Sequence, residues 1–190
     1  MKKALFLFLA LIGLTAACAG DSYWIWGAEK MAAGRSITYF RLPLDITDDV
    51  LEAEIFAIPD DACEIYLNGP VIRQVFFDQA PKRIRIRRYE FKQMLKPGMN
   101  VLSIITINQG GPGGIILKGS VRLANGKVID LASNEQWKAT MAPQKGNAWN
   151  KVEFDDSTWT PAFKLGDASM KPWSGMSDAV RFFGLPGGSK

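Results

Sequence analysis

Two adjacent carboxylate pairs, Asp60-Asp61 and Asp155-Asp156, are the groups of this chain best suited to binding or acid–base chemistry. Hydrolysis of a glycoside needs two carboxyls facing each other about 5 to 9.5 Å apart across the scissile bond. Neighbours on a strand point to opposite faces, so neither pair meets that geometry by itself. A carboxylate pair on a loop can instead accept the hydroxyl hydrogens of a sugar or hold a calcium ion, since hard oxygens suit both. Asp60 and Asp61, just ahead of a strand, are candidates for carbohydrate and calcium binding. The plainer alternative is an Asx-type turn into the following hairpin. Asp155-Asp156 reads as a turn or cap. The chain contains no histidine. That removes histidine-based nucleophile triads, histidine general bases and most zinc and iron sites.

The run Lys82 to Arg88 is Lys-Arg-Ile-Arg-Ile-Arg-Arg. On a strand it places Arg83, Arg85 and Arg87 on one face and Ile84 and Ile86 on the other. A row of guanidinium forks suits sulfate, uronate or phosphate groups of an anionic glycan. A solvated outer face that discourages edge pairing is the plainer alternative. Of the six tryptophans, Trp173 stands freest of the strand pattern and is the candidate for stacking on a pyranose, with core packing as its alternative. Trp24 and Trp26 are expected to share one strand face. The loop Asn108-Gln109-Gly110-Gly111-Pro112-Gly113-Gly114 lacks the Gly-Lys-Ser/Thr of a phosphate-binding loop. It reads as a tight turn, with the Asn108 amide offered to a ligand.

The elements that must position these groups read as strands. In Leu51 to Ile58, Leu51, Ala53, Ile55 and Ala57 alternate with Glu52 and Glu54, the pattern of a half-buried strand. Glu64 to Leu67 and Val71 to Val75 flank Asn68-Gly69, a type I′ hairpin signal. Ser120 to Leu123 and Lys127 to Leu131 flank Asn125-Gly126 in the same way. Val101 to Ile107 is apolar on both faces, as in a central strand. Glu90 to Leu95 carries the only helical hint, closed by Lys96-Pro97-Gly98. Many short strands with regular turn signals argue for an antiparallel sandwich or jelly roll. Cys63 reads as a buried small hydrophobe.

Several segments then line up: Trp24-Ile25-Trp26, Phe40-Arg41, Asp60-Asp61, Tyr66-Leu67-Asn68-Gly69, Leu95 to Asn100, Gly110 to Gly114, Asn134 to Lys138, and Phe154-Asp155-Asp156-Ser157-x-Trp159-x2-Ala162. In this order and spacing they resemble the galactose-binding-like jelly roll. That domain lies beside the catalytic domains of bacterial alpha-L-rhamnosidases and serves as the sugar-binding domain of family 2 glycoside hydrolases. The resemblance runs from Trp24 to Trp173 and implies an all-β antiparallel β-sandwich. It implies that Trp137, Trp149 and Trp159 are architectural and that Asp155-Asp156 closes the sandwich beside Trp159. It favours a ligand role for Asp60-Asp61, because related rhamnose-binding modules use acidic loop residues with calcium. The matching residues specify fold more than ligand.

Lys2 and Lys3, the apolar run Ala4 to Leu14 and the small residues Thr15 to Ala19 have the form of a secretory signal, too short to span a bilayer. Ala17-Cys18-Ala19 fits cleavage before Gly20. Lipidation of Cys18 is the alternative, with Thr15 standing where a leucine is usual. Domains are therefore expected at 1–19 (signal peptide), 20–175 (sandwich) and 176–190 (a tail, in which Val180 to Phe183 could add an edge strand). Without Lys2 and Lys3 the chain has 21 basic and 19 acidic residues, about +2, too weak for nucleic-acid binding on bulk charge. The reading is a secreted or periplasmic, non-catalytic module that binds a poly- or oligosaccharide. Such a module can act beside a separate glycoside hydrolase, and it meets the membrane only through a lipidated Cys18. The alternative is an interaction or structural module of an envelope complex on the same jelly roll.

Overall fold

A computed structural model describes residues 20–27, 34–76 and 86–184. The signal segment and Cys18 lie outside the described residues, as do Arg83 and Arg85. The strands are β1 (Tyr23–Trp26), β2 (Ser36–Ile46), β3 (Val50–Asp60), β4 (Ala62–Leu67), β5 (Val71–Phe76), β6 (Tyr89–Glu90), β7 (Gly98–Asn108), β8 (Gly114–Leu123), β9 (Val128–Asp130), β10 (Lys138–Thr140), β11 (Thr160–Pro161) and β12 (Phe163–Asp167). They build two six-stranded antiparallel sheets. Sheet I has the order β12-β1-β8-β3-β6, with β9 on β8; sheet II has the order β11-β10-β2-β7-β4-β5. The all-β sandwich is as expected. No helix among the described residues is long and apolar enough to cross a membrane.

Alternation explains the core. Phe40, Leu42, Leu44 and Ile46 from β2, Cys63, Ile65 and Leu67 from β4, and Leu102 and Ile104 from β7 face Ile55, Ala57, Ile115 and Leu117 of sheet I. Central β7 is apolar because both of its faces are covered. Cys63 is buried, and burial pushes its thiol pKa up. The Asn68-Gly69 turn has both residues at positive φ (54° and 112°), which the type I′ geometry requires. The Asn68 side chain accepts from the Val101 amide at 2.8 Å and donates to Asn100 Oδ1 at 2.8 Å, tying the hairpin to its neighbour.

Each sheet also has a covered outer face. Over sheet II lies the segment around Trp149, Phe154 and Trp159, which packs on Tyr39, Tyr66 and Ile105. Arg41 is 3% exposed and holds this segment. Its Nε donates to Asp156 Oδ2 at 2.8 Å, and its Nη1 to the carbonyls of Trp149 and, at 3.0 Å, Lys151. Lys138 Nζ reaches the other Asp156 oxygen at 2.6 Å. Burial opposes ionisation of Asp156, but Lys138 and Arg41 outweigh it and hold the carboxyl below its ordinary value. Asp155 accepts from the Ser157 amide at 2.9 Å, a turn bond.

Over sheet I lies the C-terminal segment, and here the structure corrects the sequence reading. Val180 to Phe183 belong to a helix, α1 (Ser177–Gly184), not to an edge strand. Ala179 and Phe183 pack with Ala168 and Trp173 on Trp24, Ile58 and Ile116. This segment therefore belongs to the folded body, which does not end at residue 175. The helix wins because its apolar residues at positions 179, 182 and 183 form one stripe at helical spacing. Trp24 and Trp26 do not share a face either. A register shift between Trp24 and Ile25 turns Trp24 outward under α1 and leaves Ile25 and Trp26 in the central core. A second shift, between Val50 and Glu52, leaves Leu51 48% exposed rather than beside Ala53. Of the helical hint at Glu90 to Leu95, one 3₁₀ turn forms, Lys92–Met94.

Candidate functional site

Asp60 and Asp61 form the corner where the chain leaves sheet I and enters sheet II, between β3 and β4. The bond joining them is cis. The Asp61 amide donates to the Ile107 carbonyl at 3.0 Å, and Asp61 Oδ2 accepts from the Gln109 amide at 2.7 Å. The corner and the glycine-rich loop between β7 and β8 are thus one unit. Asp61 is partly exposed and Gln109 is exposed.

The two aspartates differ in kind. Asp60 is 9% exposed, and its Oδ2 accepts from Trp173 Nε1 at 2.7 Å. Burial raises its pKa above the ordinary value; the indole bond works against this, and neighbouring Asp61 adds to it. Trp173 is not a free stacking platform. It is 3% exposed and lies flat on Trp24, with ring centroids 3.9 Å apart and planes 16° apart. Gly114 makes room for it, since a Cβ there would stand 2.8 Å from the Trp173 ring. Asp60 and Trp173 support the corner from behind.

Asn108 is likewise a tie rather than an offered amide. It is 1% exposed. Its Nδ2 donates to the carbonyls of Gly34 and Gly111, each at 3.0 Å, and its Oδ1 accepts from the Gly110 amide at 3.1 Å. All of its hydrogen-bonding capacity toward these two loops is used, so it holds the entry to β2 against the glycine-rich turn. Arg87 is exposed, at the approach to edge strand β6. Its neighbour Arg88 pairs with Glu54 at 3.2 Å and with Glu90.

A calcium ion at this corner would draw on the carboxylates of Asp60 and Asp61. Asp60 commits an oxygen to an indole N–H, and burial raises its pKa above the ordinary carboxylate value. Among the described residues no group of three or more acidic, cysteine or histidine side chains converges.

Beside the corner, on the outer face of sheet II, the register aligns Ile37, Ile107, Ala62 and Phe76 across β2, β7, β4 and β5. Phe76 is 74% exposed, Ile37 41% and Ile107 37%, while Ala62, between Ile107 and Phe76, is 8% exposed. The next row on that face holds Tyr39, Ile105, Glu64 and Gln74. Gln74 Nε2 donates to Glu64 Oε1 at 2.6 Å, and Tyr66 Oη donates to Glu64 Oε2. Burial, then the Glu64 carboxylate, pushes the Tyr66 pKa up. Sequence reasoning passed over Phe76 and Gln109. For Phe76 the signal was present: it shares parity with Gln74, on the outward face of β5.

No protein-family model matches the chain, and no curated protein does. Solved structures do. An alpha-L-rhamnosidase of Streptomyces avermitilis, complexed with L-rhamnose, is 24% identical, with a TM-score of 0.68 over 82% of this chain and 16% of that one. The Pleurotus ostreatus lectin is 24% identical, with a TM-score of 0.69 over 82% of this chain and 44% of the lectin. The GH78 rhamnosidase of Bacillus sp. GL1 is 21% identical, with a TM-score of 0.68 over 82% of this chain and 19% of the enzyme. This chain spans less than half the length of each. The fold reached from the motifs, an antiparallel jelly-roll sandwich, is the one it shares with a portion of these rhamnosidases and of the lectin.

Proposed function

We propose that this protein is a non-catalytic carbohydrate-binding module that works outside the cytoplasm. The observation that carries the reading is the corner itself. A partly exposed carboxylate, Asp61, and an exposed amide side chain, Gln109, are held together by a backbone bond of 2.7 Å on a rigid base. That base is built by Asn108, Asp60 and Trp173. Fixed carboxylate and amide groups at the end of a sandwich match the hydroxyl rim of a sugar. Several solved proteins of this fold, among them a lectin and rhamnosidases, carry names that speak of sugars, which favours the same ligand class here.

How Asp60, Asp155 and Asp156 are engaged supports a non-catalytic role. Asp60 is engaged by an indole, Asp156 by two cations, and Asp155 by its own turn. Neither pair presents an acid and a base across a gap. Export is supported by the Lys2-Lys3 leader pattern, and a lipid anchor at Cys18 is the alternative outcome of that export. The ligand is a poly- or oligosaccharide, and a separate glycoside hydrolase is the natural partner for such a module. The test is a glycan-array screen of the purified protein, repeated with calcium and with chelator, beside Asp61→Ala. Binding of at least one glycan, weakened about tenfold or more in Asp61→Ala with unchanged thermal stability, is the expected result. An array with no bound glycan overturns the reading.

A further inference from the structure

Gly20, at the head of the first described stretch, is met by a carboxylate 110 residues away. Its backbone nitrogen donates to Asp130 Oδ2 at 2.9 Å. The carboxylate is oriented without Gly20. Its other oxygen accepts from the Ala132 amide at 3.0 Å, and Gln136 Nε2 donates to the carbonyls of Asp130 and Ala132, each at 3.1 Å. Further along, the Tyr23 amide donates to the Ser133 carbonyl at 2.8 Å, and Ser133 Oγ donates to the Tyr23 carbonyl at 2.6 Å. The chain is thus laid against segment 130–133 from Gly20 into β1. The approach at Gly20 is close. A Cβ there would stand 2.4 Å from Asp130 Oδ2, so a larger residue would push the carboxylate off the nitrogen.

We infer that the Ala19–Gly20 bond is the processing site of this chain and that Asp130 is the receptor for the α-ammonium released there, an ion pair that locks the entry to β1. A leader peptidase would add water across the bond, leaving a carboxylate on Ala19 and an ammonium on Gly20. The nitrogen that now donates once as a neutral amide would then carry a charge and three donors, and charge-assisted bonds are the stronger kind. The surroundings suit that charge. Burial lowers the Lys118 pKa, and Asp130 and then Asp21 work against it. Lys164 pairs with Glu135 at 2.8 Å, lies over the Tyr23 ring and also feels Asp21. Among the described residues, three carboxylates (Asp21, Asp130 and Glu135) thus meet two cations (Lys118 and Lys164), and an α-ammonium at Gly20 would balance them. The inference rests on the export reading above and separates its two outcomes. A lipidated Cys18 would keep the Gly20 nitrogen a neutral amide and leave at most about 7 Å of chain between the anchor and Gly20.

Two measurements test it. The full chain is expressed with its own leader in a bacterial host, and the first residue of the product is read by intact mass and terminal sequencing in the cytoplasmic, membrane and exported fractions. A soluble exported protein beginning at Gly20 is expected. An exported protein beginning at an acylated Cys18, or at any other residue, overturns the inference and leaves export standing. A chain that keeps its leader in the cytoplasm overturns the export reading as well. Thermal midpoints then compare the chain beginning at Gly20 with one carrying a neutral Gly-Ser extension before Gly20, each with and without Asp130→Asn. That substitution keeps an oxygen for the Ala132 amide, so the turn itself survives. A neighbouring carboxylate raises the pKa of an ammonium, so the added stability is complete below the ordinary α-amino value near 8 and is lost as pH rises through the raised one. Near pH 7 the free terminus should raise the midpoint by about 2 to 4 °C. Asp130→Asn should remove that difference, and so should about pH 10, where the amine is neutral. Equal midpoints near neutral pH, or a difference that survives in Asp130→Asn or at high pH, overturn the receptor.

Discussion

Asp60 and Asp156 are both shielded from water, yet their surroundings push them in opposite directions. Asp60 faces one indole N–H and a like-charged neighbour, and its pKa is raised. Asp156 faces Arg41 and Lys138, and its pKa is lowered. A raised carboxyl contributes stability that is complete below the unfolded pKa, near 3.9, and is lost as pH rises through the folded value. A lowered carboxyl contributes stability present above the unfolded value and lost as pH falls through the folded one. Relative to wild type, Asp60→Asn should therefore gain stability as pH rises from about 4 toward 7. Asp156→Asn should lose most at neutral pH and approach wild type in acid. Thermal midpoints from pH 3 to 7 check both; parallel profiles for the three proteins would contradict the assignment. Arg41→Ala should cost about 3 to 5 kcal/mol, because it strips a nearly buried cation from a partly buried carboxylate and from the carbonyls of Trp149 and Lys151. Urea unfolding of the variant measures that cost.

Two irregular segments each cover part of the outer face of a sheet, and each should behave as part of the core. Trp159 is 7% exposed and packs edge-on against Phe154, 5.9 Å between ring centroids. Trp159→Ala should destabilise the fold by about 3 to 5 kcal/mol. An unchanged unfolding midpoint would show that the tryptophan is not buried in solution. Ending the chain at Asp167 would uncover Trp24, Ile58 and Ile116 and leave Asp60 without its indole partner. The truncated protein should unfold at lower temperature and bind a hydrophobic dye before unfolding. A truncated protein as stable as the full chain would mean that α1 is an appendage.

The chain matches only a portion of each enzyme it resembles, and Asp60, Asp155 and Asp156 are tied into structure. Purified protein should therefore fail to turn over a panel of aryl glycosides. Turnover abolished by a single Asp or Glu substitution would reverse the non-catalytic reading. At this scale the described residues form two packed sheets with a polar corner at Asp60-Asp61. Affinity for a single sugar residue should be weak, and useful retention should come from repeated units on a polysaccharide.

The fold was legible because its signals are local. Alternation in β3, the Asn68-Gly69 turn and the two-sided apolarity of β7 depend only on a residue's near neighbours, and strand geometry converts them directly into faces and hairpins. Asp60-Asp61 could be singled out in the sequence, where it read either as a ligand-binding pair or as a turn into the hairpin. What only the tertiary structure decided is which layer each apolar residue enters and which polar groups meet across the chain. Trp24 and Trp26 look equivalent in sequence, and one register shift sends them to different layers. Trp173 looked free and is the partner of Asp60, 113 residues away. Asn108 looked like an open amide and is a tie between two loops. Phe76 acquires its setting only when β5 pairs with β4 beside β7. Hydrophobic pattern reports whether a side chain avoids water, whereas the identity of its neighbours follows from pairing between distant strands, which no local window contains.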